Sequence, residues 1–322
     1  MTYASGGLIQ ATDYNGFVST TSGANVNNVW GAGTGDAGWG QPALSTVSAT
    51  NLVTATQWAT LVNTLTNMGG QTGTTITSRT APTAGTTIGI LAALNTDLTN
   101  ITTNRNNAAA AGTQFTGWTG TNSKTAGTSG ATWTITFTNT VTFASADAAR
   151  YFFNAGGRIQ LQTSKTSTGA TGDPEWNDLA NTLDGNIVFT GVGAAKTIAG
   201  TSYTGTTRVG GTGTPAVLNT GTGFYSLTPG AAASVIYRQN ADTAPYTNNF
   251  IQYSVALNAG STALTFTTLW SASDGDPISG GTAASGATPG TAPCTICTYF
   301  PPSSTFLSTT SWGTPTVAAT TA

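Results

Sequence analysis

Residues 131–143, ATWTITFTNTVTF, place Trp133, Ile135, Phe137, Val141 and Phe143 on alternate positions, with threonine between most of them. A period of two sends these side chains to one face of an extended backbone, so the stretch is a half-buried strand or a hairpin turning near Asn139. Alternation resumes in RIQLQTSKTS, and GNIVFTG, TGFYSLT, ASVIYRQ, NFIQYSVALN and ALTFTTLWSAS follow as strands between Gly, Pro and Asn turns. The expected fold is therefore mainly β, an antiparallel β-sandwich of jelly-roll or Ig-like type. Short helical insertions are expected at SADAARYFFNAGG and DPEWNDLANTL, the second with Asp173 as cap and Pro174 in its first turn.

The first third of the chain has a different period. Tyr14, Phe17, Val18, Val26, Val29 and Trp30 recur near three, four and seven residues, a helical stripe weakened by Gly16 and Gly23. A cleaner stripe joins Ala55, Trp58, Leu61, Val62, Leu65 and Met68 and stops at Gly69, and a third joins Ile88, Leu91, Leu94, Leu98 and Ile101. Three parts follow: a helical attachment or oligomerisation region (1–110), a β-sandwich (111–280), and a Gly-, Thr- and Pro-rich C-terminal segment (281–322). The last reads as an arm, a loop or a final edge strand.

Composition narrows function. Only 6% of residues are charged, against about 25% in ordinary soluble domains, and roughly a fifth of the chain is threonine. Such a surface is polar through hydroxyls and amides, which suits strands, because threonine pairs stabilise a ladder. The nine cations are scattered and the net charge is −2, so nucleic acid is not an expected partner. There is no apolar run of spanning length, so membrane insertion is not expected. The opening MTYASGGLIQ lacks the pattern of a secretory signal.

The motifs that suggest chemistry have simpler explanations. Residues 33–38, GTGDAG, match a dinucleotide fingerprint, but a helical stripe precedes them where a buried strand is needed, so they read as a flexible joint between Trp30 and Trp39. Cys294 and Cys297 form CTIC with no histidine and no further cysteine in the chain, leaving two buried thiols or a local disulfide. Asp173, Glu175 and Asp178, and Asp274 with Asp276, are explained by a helix cap and a turn. Tyr151, Phe152 and Phe153 read as a plug at the end of the sandwich. No catalytic, cofactor-binding or metal-binding residue is assigned, and the chain is not expected to be an enzyme.

The segments DYNGF, NNVWGAGTGDAGWGQ, TATQWATLVNTL, ADAARYFFNAGGRIQL and DPEWNDLANTL resemble virion structural proteins of tailed bacteriophages, notably of marine and cyanobacterial hosts. The resemblance implies a tail, baseplate or fibre component in the virion that binds itself and other virion proteins, with a homotrimer expected by analogy with phage fibres. The alternatives are a host-glycan-binding receptor-recognition protein and a head decoration protein. Tyr14, Phe17, Trp30, Trp39, Trp58, Leu61 and Leu65 are the interface candidates. Trp118, Trp133 and Trp270 are the glycan-contact candidates if exposed, although alternation places Trp133 in the core.

Overall fold

The threonine-spaced segment forms one uninterrupted strand rather than a hairpin. In a computed structural model that describes residues 10–19, 24–85, 91–121, 132–166, 173–273 and 291–321, Trp133–Thr142 buries Trp133, Ile135, Phe137, Asn139 and Val141 and turns its threonines outward. Asn139 pairs with Phe266 on one side and Ala319 on the other, so the ladder runs straight through the position where a turn was the alternative.

The helices are α1 (Ala11–Val18), α2 (Val26–Val29), α3 (Ala55–Thr72), α4 (Leu91–Thr103), α5 (Ala146–Asn154) and α6 (Asp173–Asp178), the last continuing into a π-helical turn over Leu179–Leu183. The strands are β1 (Phe115–Thr121), β2 (Trp133–Thr142), β3 (Arg158–Thr166), β4 (Asn186–Phe189), β5 (Lys196–Ile198), β6 (Thr201–Tyr203) and β7 (Thr206–Val209). They continue with β8 (Val217–Leu218), β9 (Ser234–Asn240), β10 (Phe250–Leu257), β11 (Ala263–Ala272), β12 (Thr291–Phe300) and β13 (Thr316–Thr321). One sheet has the order β1-β12-β3-β4-β7, the other β13-β2-β11-β10-β9-β8, and β5-β6 is a separate hairpin. Every strand pairing among the described residues is antiparallel. The fold is the expected mainly β, sandwich-like arrangement of two antiparallel sheets with short helices.

Two expectations change. The first stripe is split into α1 and α2, which are separated by residues of low helix propensity around Gly23. The C-terminal segment is not only an arm: β12 fills the position between β1 and β3, and β13 is an edge strand on β2. Thr295, Cys297 and Tyr299 are buried at alternate positions, and Cys294 and Thr298 on the other face are buried as well, as an internal strand requires.

The apolar core is continuous from the helical third into the sandwich, linking Tyr14, Trp58 and Leu98 to Phe152, Phe266 and Trp270. α3 starts with a capping box, Thr54 accepting from Gln57 N at 3.3 Å while Gln57 accepts from Thr54 N at 2.8 Å, and ends on Gly73 in the left-handed region. The segment between α3 and α4 is fastened by the buried Arg79–Asp97 ion pair. Phe143, Phe152, Phe153, Phe189 and Phe224 close one end of the sandwich, with ring centroids 4.9–6.1 Å apart. Phe152 and Phe153 thus form the plug read from the sequence, and Tyr151 lies half-buried beside it.

Candidate functional site

The glycine segment is neither a phosphate cradle nor a free joint. Gly33, Gly35, Gly38 and Gly40 all have positive φ, and a Cβ on Gly38 would overlap the Ala32 carbonyl, so only glycine follows this path. The loop returns onto α2 through Trp39 N to Val29 O (2.9 Å) and Gly40 N to Gly31 O (2.8 Å).

α5 then grips the loop with two residues four apart on one helical face. Arg150 donates through Nε to Gly35 O (3.2 Å) and through Nη2 to Ala32 O and Ala37 O (both 3.3 Å). Asn154 donates through Nδ2 to Ala37 O (3.0 Å) and Gly38 O (2.9 Å), and its Oδ1 accepts from the Tyr225 hydroxyl at 2.7 Å. Burial raises the Tyr225 pKa, so this phenol stays a donor. The polarity decides against an anion site: the loop aims carbonyls, not N–H groups, at the guanidinium, the reverse of a phosphate nest.

Two further staples hold the same loop. Asp36 accepts from Arg105 Nη2 (2.7 Å) and Asn106 Nδ2 (3.3 Å) at the end of α4, and Trp39 Nε1 donates to Arg105 O at 3.3 Å. Gln41 Nε2 donates to Ser308 O and Ser311 Oγ, and its Oε1 accepts from Ser308 N. Loop 31–41 is thereby a hub tying α2, α4, α5 and residues 308–311 together. Beside it opens a cleft of about 470 Å³, walled by Gly33, Gly35, Arg150, Tyr225, Leu227 and Leu257. Arg150 supplies its charge, but most of its donors are already engaged by the loop and by Asp147 (2.5 Å).

The interface candidates lie mostly inside the chain's own core. Tyr14, Phe17, Trp58, Leu61 and Leu65 are buried together, with Tyr14 and Phe17 edge-on to Trp58 at 5.5 and 6.3 Å. Trp39 is buried and Trp30 half-buried, 6.4 Å apart between centroids. These side chains are committed to intramolecular packing, and Trp30 alone of the seven retains substantial exposure, beside a groove of about 460 Å³ with Pro42, Gln57 and Thr60. Trp176 stacks with Trp270 and packs at a tilt against Trp133, and Trp118 packs against Phe137.

Comparison with protein-family models, with curated proteins and with solved structures returns no match to this chain.

The remaining chemical candidates are dispersed. Among the described residues no three acidic or cysteine side chains converge as a metal site. Asp274, Asp276 and the side chain of Asp173 lie outside the described residues. Glu175 is buried, which raises its pKa against the opposing hydrogen bond from Thr243. Cys294 and Cys297 are free thiols three residues apart on β12; a strand spaces them by roughly 10 Å, beyond disulfide reach. No described helix is long and apolar enough to cross a membrane.

Sequence reasoning missed Asp184, whose side chain is fully buried between the sheets. Its Oδ2 accepts from the Thr163 hydroxyl (2.7 Å) and from the Tyr253 hydroxyl, while the Tyr237 hydroxyl donates to the Asp184 carbonyl at 2.8 Å. Desolvation pushes its pKa up to about 7, against those hydrogen bonds and the charge of Arg208. The nearest sequence signal is an aspartate directly after the Leu179–Leu183 turn, which buries Leu179, Ala180 and Leu183.

Proposed function

We propose that the chain is a non-enzymatic structural protein of a tailed-bacteriophage virion, a tail, baseplate or fibre component that self-associates and docks on the particle. The observation that supports this most is spatial. Two of the segments that carry the sequence resemblance, NNVWGAGTGDAGWGQ and ADAARYFFNAGG, meet at loop 31–41, which Arg150 and Asn154 hold, and two others, DYNGF and TATQWATLVNTL, pack together through Tyr14, Phe17 and Trp58. Segments scattered along the chain thus pack on one another in pairs, as expected if the resemblance marks a structural module. The low charge and the threonine-covered sheet faces suit a body built for repeated contacts, in which weak interfaces gain strength through multivalency. Mass spectrometry of density-purified particles tests the reading: stoichiometric peptides from this chain support it, and particles without them end it.

A second reading, host-glycan recognition, draws on the groove of Trp30, Pro42, Gln57 and Thr60, which joins a partly exposed indole to amide and hydroxyl groups. Binding to a glycan array that Trp30→Ala abolishes would favour it over the passive structural role.

A further inference from the structure

A sandwich of two open sheets has four edge strands, and exposed edges are templates for pairing unless something blunts them. Three of the four carry a recognised device. β8 has two residues and β7 has four, while β1 is broken by a bulge between Thr116 and Trp118. β13 has none. Its six residues, TVAATT, pair with β2 in unbroken register from Thr316↔Thr142 to Thr321↔Phe137, with no charge, proline or glycine. Among the described residues no strand is hydrogen-bonded to its outer side, although β1 packs against β13.

We propose that the outer edge of β13 pairs antiparallel with β13 of a second copy of this chain, joining two six-stranded sheets into one. This deepens the self-association reading and rests on it. The choice of a second copy over another partner comes from self-complementarity. A two-fold axis at Ala319 sets Ala318 opposite Thr320 and Val317 opposite Thr321, small neutral pairs in which no like charges meet. The outer face already runs as a threonine ladder across Thr140 and Thr265, whose hydroxyls are 3.4 Å apart, towards exposed Ala318 and Thr320. The same flank supplies apolar area: β1 lies against β13, where a side chain on Gly117 would strike Val317, and Phe115 two residues earlier is 55% exposed. A two-fold contact of this kind yields dimers, or dimers of dimers, and does not by itself build the trimer expected from the fibre analogy.

The test compares the full chain with Ala318→Lys and Thr320→Lys, both at exposed positions, by sedimentation equilibrium and hydrogen exchange. The wild type is expected to dimerise and each variant to weaken the dimer at least tenfold. The β13 amides should lose protection on dilution while those of β2 and β11 keep it, which also shows that the variants remain folded. An oligomer equally stable in both variants, or β13 amides protected in the monomer because the chain covers its own edge, overturns the β13 pairing and leaves self-association standing. A wild type monomeric at every concentration overturns both, whereas the virion assignment is decided separately by the particle mass spectrometry.

Discussion

Tyr253 donates its hydroxyl to the carboxyl of Asp184 in the interior of the sandwich, where Asp184 has no exposed surface. The acid pKa is pushed up to about 7, so the folded state holds this proton more tightly than the unfolded chain, whose aspartate titrates near 4. Stability therefore falls as pH rises from the ordinary carboxylate range through about 7 and is level above it, at up to roughly 1.4 kcal/mol per pH unit within the window. Asp184→Asn keeps an acceptor for Tyr253 without the titration. Urea melts from pH 4 to 9 should show a declining wild type and a flatter variant that is the more stable at pH 8; parallel profiles would refute the assignment.

Asn154→Ala removes the donor to the Ala37 and Gly38 carbonyls and the acceptor for Tyr225 in one step. Leaving these groups unpaired in a buried site should cost about 2–3 kcal/mol. The check is a denaturant midpoint together with hydrogen exchange of the Trp39 and Gly40 amides, which should report a loosened loop; a midpoint unchanged from wild type would mean that the clamp does not hold it.

The glycines of the loop should separate by geometry. Gly38→Ala places a Cβ on the Ala32 carbonyl at φ +90°, whereas Gly35→Ala meets nothing within 4 Å at φ +57°. The first should cost well over 2 kcal/mol and the second about 1 kcal/mol. Equal costs in thermal melts would contradict the close approach.

Cys297 faces the core and burial pushes its thiol up to about 12; burial also raises the Cys294 thiol. Both should resist thiol reagents in the native state and both should be alkylated after denaturation without reductant, read as two mass additions. A single species lacking both additions would indicate a disulfide and a different path for β12.

What could be read from the chain follows from how local each signal is. The stripe from Trp58 to Met68 and the alternation from Trp133 to Val141 are periodic over more than two turns or four pleats, and both elements form, although the helix runs past the expected stop at Gly69 to Thr72 and the strand continues through Asn139 without a turn. The β12 alternation was obscured by the prolines and glycines around it, although Thr295, Cys297 and Tyr299 have the correct spacing. Glycine composition suggested a flexible joint at 31–40, because nothing local announces that Arg150 and Asn154, more than a hundred residues away, will take up the loop carbonyls. Their spacing of four on one helix was the available clue. Similarly, Asp184 looks like any polar residue after a helix until Tyr253 and Thr163 arrive from different sheets. The aromatic stripes predicted buried faces correctly, but the partner of Tyr14, Phe17 and Trp58 is this chain's own core.

The most direct measurement is a cryo-EM reconstruction of purified particles at side-chain resolution. The account predicts density for this two-sheet fold in symmetric copies within the tail, baseplate or fibre, with loop 31–41 ordered against α5. Particles fully explained by other chains, with no density that accepts the fold, would contradict it.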